Sequence, residues 1–188
     1  NTFLGINSGN LSNTGSGRNT AMGYQAMTAT KEATESVAIG YQALTAITNG
    51  DNNVAVGSGA LSLATTGASN IALGFYAGDN ITSGSSNILI GNNIDAQSAT
   101  ASNQLSIGNM IFGTNLNGTG TSISAAKIGI GATIPKEVLS VNGNLLVRGA
   151  LQGQSLIING DLIASDQEDL FVDGGNTAAK DRTLGNND

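Results

Sequence analysis

The sequence predicts an all-β chain built mainly as a β-solenoid, and three observations carry that prediction. A glycine preceded by an apolar residue recurs at Gly23, Gly40, Gly57, Gly74, Gly91 and Gly108, every seventeen residues, with Gly5 one residue out of step. Strict period-two alternation surrounds each of these glycines. The composition, with 27 glycines, one proline and 4% aromatics in 188 residues, leaves little material for an ordinary globular core. A fixed period of this length marks a repeat array in which each unit makes one coil and buries its apolar side against its neighbours.

The strand of each coil lies just before the glycine. One position before it stand Leu4, Met22, Ile39, Val56, Leu73, Ile90 and Ile107, and three before it Thr2, Thr20, Val37, Val54, Ile71, Ile88 and Leu105. Between these two bulky columns runs a smaller one, Phe3, Ala21, Ala38, Ala55, Ala72, Leu89 and Ser106, directed to the opposite face of the strand. The expectation is that the bulky columns fill the interior of the coil and that the small column faces outward, where identical chains pack along it.

A second glycine follows the first by ten residues at Gly15, Gly50, Gly67 and Gly84, amid Asn, Thr and Ser, as at a turn that requires positive φ. Each repeat therefore reads as strand, strand, turn. Seventeen extended residues reach roughly 55 Å at most, which suits a flattened two-strand β-roll better than a wide three-sided helix. Four residues before the main glycine stand Asn1, Asn19, Asn53, Asn70 and Asn87, with Ser36 in the remaining repeat. Stacked coils would align these amides in a ladder; simple turn propensity accounts for them equally well. With coils about 4.8 Å apart, seven registers make a rod of only roughly 30 Å, one section of something longer.

The array occupies residues 1–112 and decays at its end, where Gln104 and Ser106 replace the usual Asn and Ala. Residues 113–126, with the aperiodic NLNGTGTSIS, form a connector. From 127 to 165 short alternating runs are punctuated by Gly143, Gly149, Gly153 and Gly160, spacings that suit short strands too poor in apolar surface to stand alone and hence intertwined between chains. Residues 166–188 are acidic and then polar: a surface loop, a short cap or a tail.

Charge and composition exclude several functions. The formal charge is −6, no Lys or Arg stands between Glu32 and Lys127, and residues 161–188 carry seven acidic side chains against Lys180 and Arg182, so nucleic acid is not an expected partner. No apolar run is long enough to span a membrane as a helix, and no membrane insertion is expected. The chain opens at Asn1, already in phase and without Met, as a fragment or a processed product would. Cys is absent, which removes disulfides and thiolate chemistry, and His is absent, which removes the commonest general base and metal ligand. Asn-x-Ser/Thr matches at Asn10, Asn80 and Asn117 are what chance supplies in so Asn-rich a chain.

The units NTAMGYQAM, SVAIGYQAL and NVAVGSGAL, within residues 19–61, resemble the head repeats of YadA-type trimeric autotransporter adhesins and similar repeats of phage tail fibres. The segment IGIGATIPKEVLSVNGNL, residues 128–145, is similar to the stretch that often follows such repeats in tail fibre and tail spike proteins carrying a C-terminal intramolecular chaperone. The resemblance implies a trimeric parallel β-roll followed by an intertwined β-region. Its function would be that of a non-enzymatic, extracellular spacer or receptor-binding fibre on a virion or cell surface. Two departures stand out: the repeat is longer than the usual adhesin head unit, and neither the chaperone nor a membrane anchor is present.

Candidate chemistry is sparse. Glu35 and Asp51 lie twelve and eleven residues after their glycines in adjacent coils, and two such carboxylates are what a polysaccharide-degrading tail spike would need. Acidic residues are ordinary in turns, however, and no insertion forms a cleft, so no catalytic residue is assigned. Tyr24, Tyr41 and Phe75 follow the main glycine and share a face with the bulky columns; interior packing is the expected role, and a stripe for stacking on sugars the alternative. Asp166, Glu168, Asp169 and Asp173 lack the glycine of an EF-hand loop, so no metal is assigned, and no phosphate loop or dinucleotide fingerprint implies a cofactor. The regular Thr-x-Thr rows of an ice-binding surface do not occur. A homotrimer with a host-surface glycan or protein receptor is the expected set of partners, end-to-end self-association into a polymeric extracellular filament the competing one.

Overall fold

The computed structural model describes residues 1–9, 17–118, 125–143, 145, 155–158 and 161–165. The chain divides into two units, Asn1–Asn144 and Leu145–Asp188. In the first, strands β1 (Thr2–Leu4), β2 (Thr20–Met22), β3 (Val37–Ile39), β4 (Val54–Val56), β5 (Ile71–Leu73), β6 (Ile88–Ile90) and β7 (Leu105–Ile107) pair in sequence order and in parallel. The register from β2 onward is the repeat itself, Ala38 opposite Ala55 and Ala55 opposite Ala72. This is a β-solenoid.

Each coil holds one strand, not the two that the sequence predicts. The rest of the coil is a run of turns, because non-glycine residues adopt left-handed backbone at fixed places in it: Gln25, Met27 and Glu35 in one coil, Gln42, Leu44 and Asn52 in the next, with φ of 50–59°. Each such residue costs on the order of 1–3 kcal/mol. Coil-to-coil hydrogen bonds hold the turns in place, as where Leu44 N donates to Ala60 O (3.0 Å) and Thr48 N to Thr65 O (2.8 Å).

The faces of the strand are the reverse of the expectation. Ala21, Ala38, Ala55 and Ala72 are buried inside the coil, and the bulky columns on either side of them face outward. The tight turns leave an interior too narrow for two bulky columns from the strand. It is filled instead from the opposite wall by Met27, Leu44 and Leu61, four residues after the glycine, and by Ile47 and Ile81, seven after it, all fully buried.

The main glycines hold a backbone conformation that other residues rarely adopt. From Gly5 to Gly91 they hold φ of 133–140°, and a Cβ on Gly40 would stand 2.4 Å from Gly57 O. Gly108 differs, with φ 59° and open space around it, because the stack stops there. The second glycine column does not use positive φ. At Gly50, Gly67 and Gly84 the reason for glycine is close approach, since a Cβ would lie 2.0–2.3 Å from a carbonyl oxygen of the next coil. Gly15 lies outside the described residues.

The asparagine ladder forms, and it is buried. Asn70 N donates to Asn53 Oδ1 (2.9 Å), Asn87 N to Asn70 Oδ1 (3.0 Å) and Gln104 N to Asn87 Oδ1 (2.9 Å), while Asn53 Nδ2 donates to Gly67 O (2.9 Å) and Asn70 Nδ2 to Gly84 O (2.9 Å). The asparagine amides thus bond chiefly the backbone of the following coil, and one amide meets another only at the end of the ladder, where Gln104 Nε2 donates to Asn87 Oδ1 (3.2 Å). Ser36 keeps the chain of bonds intact, accepting from Asn53 N through its hydroxyl (3.0 Å).

After β7 the chain reverses. Strand β8 (Ile111–Thr114) runs antiparallel to β7, β9 (Lys127–Ile130) antiparallel to β8, and β10 (Leu139–Val141) parallel to β9, so all ten strands form one sheet. The sheet therefore runs on past residue 112. Inside the reversal Ser106 stands opposite Phe112, and its buried Oγ is left without a hydrogen-bond partner. The second unit contains β11 (Ser155–Ile158) and β12 (Asp161–Ser165), an antiparallel pair with an irregularity between Leu156 and Ile157. The acidic run 166–173 and the rest of the C-terminal segment lie outside the described residues.

Candidate interaction face

Because the alanines turn inward, the outer face of the sheet is apolar. Its first column is Thr2, Thr20, Val37, Val54, Ile71, Ile88 and Leu105, its second Leu4, Met22, Ile39, Val56, Leu73, Ile90 and Ile107. The register carries both columns across the reversal. Leu105 faces Gly113, Gly113 faces Ile128 and Ile128 faces Leu139, while Ile107 faces Ile111, Ile111 faces Ile130 and Ile130 faces Val141. No position of this stripe is charged, over ten strands or roughly 43 Å. Ile39, Ile71, Leu73, Ile128, Ile130 and Leu139 are exposed.

The aromatics one residue after the glycines border this stripe. They are exposed, not packed inside: Tyr24 is 43%, Tyr41 48% and Phe75 53% accessible. They share the outward side of the bulky columns, so the face assignment that placed them in the interior fails with it. Tyr24 and Tyr41 stack one coil apart, centroids 5.6 Å apart and planes 7° from parallel, and beside them Gln42 Nε2 donates to Gln25 Oε1 (2.8 Å). Phase is kept in the next coil by Ser58 and Gly59. Above them Phe75 meets Tyr76 edge-on at 4.5 Å, and the Tyr76 ring lies on Gly59, where a Cβ would approach it to 2.7 Å.

The carboxylates that the sequence pairs are engaged separately. Glu35 forms an ion pair with Arg18, and Asp51 Oδ1 accepts from Thr34 N (2.7 Å) and Thr34 Oγ1 (3.1 Å). A different pair meets: Asp79 and Asp95 share a hydrogen bond, and burial together with the facing carboxylate holds Asp79 above its usual value near 3.8. Asp79 stands five residues after its glycine and Asp95 four, the same one-residue offset as Glu35 and Asp51. The same one-residue slip appears where Asn80 Nδ2 donates to Ala96 O (2.8 Å) and Ala96 N to Asn80 Oδ1 (3.0 Å).

Thr48, Thr65 and Thr82 do form one column, but their hydroxyls donate to the carbonyls of Thr65, Thr82 and Ala99. Among the described residues no three His, Cys, Asp or Glu side chains gather as a metal site, and no helix is long and apolar enough to cross a membrane. No family model, curated protein or solved structure matches the chain.

Proposed function

We propose that this chain is a section of a non-enzymatic fibre, displayed on a virion or a cell surface, in which three copies pack side by side and hold a binding tip away from its base or bind a host surface along the shaft. One observation carries this reading: an uncharged stripe, one of its two columns apolar at every strand, runs over ten strands of a sheet whose coils have a filled interior. Apolar surface of that extent, left in water, is costly and marks an interaction face. Its ridges repeat at the coil spacing, so the partner that matches them along the whole length is another copy in register. Three copies, rather than two, follows the trimeric repeats that the sequence resembles, and β9 and β10 would contribute to the intertwined part.

Light scattering with negative-stain electron microscopy on the purified chain tests this. Discrete elongated particles of three chain masses are the expected result. Monomers at micromolar concentration would overturn the assembly, and open-ended polymers would move the function to a filament protomer.

A further inference from the structure

The aromatic column beside the stripe is interrupted once. Tyr24 and Tyr41 fill successive coils, Ser58 holds the next, and Phe75 resumes one coil later. Two coil steps separate the Tyr41 and Phe75 positions, about 9.6 Å. Tyr76, which could have lain over Ser58, lies on Gly59 instead and holds Phe75 edge-on. What remains is a notch with Tyr41 as one wall, the Phe75 and Tyr76 pair as the other, and half-buried Ser58 as its floor.

We propose that this notch binds a single pyranose ring of a surface glycan, sandwiched between Tyr41 and Phe75; the proposal rests on the fibre reading for its biological setting. The dimensions favour a sugar over a flat ring. An aromatic ring in carbon contact on both faces needs roughly 7–8 Å between walls. The remaining roughly 2 Å suits a puckered saturated ring with axial hydrogens. The polar groups agree. Among the described residues neither Ser58 Oγ nor Gln42 Oε1 makes a hydrogen bond within the chain, so the hydroxyl at the floor of the notch and the amide oxygen in the coil of Tyr41 are free for ring hydroxyls. An apolar side chain from a partner copy would leave both unused.

The chain has no Trp, and its three tyrosines, Tyr24, Tyr41 and Tyr76, all stand at the notch or in the stack beside it, so intrinsic fluorescence reports on this place. The assembled protein is titrated with the methyl glycosides of galactose, glucose and mannose and with N-acetylglucosamine. A ligand of this size at ordinary efficiency saturates with a Kd of about 1 mM. Ser58→Tyr continues the stack and fills the notch; with Tyr41→Ala as the second variant, ligand-observed saturation-transfer NMR should show binding weakened more than about tenfold in each. No saturable response in the parent protein overturns the proposal, as does binding that survives Ser58→Tyr. A change in particle mass on Ser58→Tyr without sugar binding by the parent also overturns it, and assigns the notch to a partner copy. Trimers that bind no sugar would refute the notch alone, and monomers that bind sugar would refute the assembly alone.

Discussion

Leu89 occupies the space that Gly78 leaves empty: a Cβ on Gly78 would stand 3.2 Å from Leu89 Cδ1 and 3.1 Å from Leu61 Cδ2. In the preceding coils the same interior volume is supplied by Leu44 or Leu61 from the turn, opposite an alanine of the strand. Phe3 and Gly9 repeat the exchange at the start of the array, where a Cβ on Gly9 would come within 2.3 Å of the Phe3 ring. Each coil has room for one large side chain on this level, from the strand or from the turn.

This exchange predicts a compensating pair. Leu89→Ala alone should cost about 2–5 kcal/mol through the cavity it opens. Gly78→Leu alone should cost about 1–3 kcal/mol through overpacking. The double variant restores the pattern of the neighbouring coils, where Leu44 and Leu61 accept a φ of 50° close to the 65° of Gly78. Urea denaturation should show a loss well below the sum of the two single losses.

The two faces of the strand should respond oppositely to substitution. Leu73→Lys on the stripe should leave the coil folded, with its far-UV spectrum unchanged, while lowering the particle mass. Ala55→Leu meets a filled interior and should destabilise the fold itself, by about 1–3 kcal/mol or more. Thermal melts and light scattering on both variants separate the effects. A folded, fully assembled Leu73→Lys protein would count against the stripe as the contact.

The buried ladder should be sensitive to the loss of a single donor. Asn70→Asp keeps the acceptor for Asn87 N but loses the donation to Gly84 O and sets a carboxylate against a carbonyl. The cost should be about 1–3 kcal/mol, larger at neutral pH than in acid, where the carboxyl is protonated and can donate. Exposed Asn49→Ala, which loses only a surface bond to Glu32, should change the melting temperature little.

Asp79 should make stability depend on pH. Its folded-state value is raised, so the folded chain holds the proton more tightly than the unfolded chain does. The stabilisation is fully present below about pH 3.8 and is lost as the pH rises through the raised folded value. Asp79→Asn should flatten that part of the profile in melts across the acid range, and should stabilise the chain at neutral pH by removing the repulsion from Asp95.

The period, the strand before each main glycine and the alignment of the asparagines in one column were legible because a stacked coil must put the same residue type at the same place in each turn; the burial of that column was not, since turn propensity explains it as well. The orientation of the strand was not. Alternation shows that Val37 and Ile39 share one face and Ala38 the other, but it does not show which side encloses the core. Bulk inside is the ordinary outcome for a sheet with one buried face. Here Met27, Leu44 and Leu61 supply the bulk from turns, segments that carry no strand periodicity to reveal it. The acidic pair was not singled out for a plainer reason: Asp79 and Asp95 stand in turns, where acidic residues are ordinary, and only the folded coils show that the two carboxylates face each other.

The seventeen-residue register makes length a countable property of this protein. Every coil between β2 and β6 hands the next the same strand contacts, the same apolar pair and nearly the same polar rung, so one unit can be removed or duplicated and the cut ends still match. Excision of residues 54–70 would shorten the solenoid by a single step of about 4.8 Å and leave its two ends, its strand register and its outer columns matched, while removing Ser58 and closing the notch between Tyr41 and Phe75. A deletion of sixteen or eighteen would break all of them at once. Such a scaffold is a ruler graduated in whole coils, and its reach can be tuned without redesigning either end.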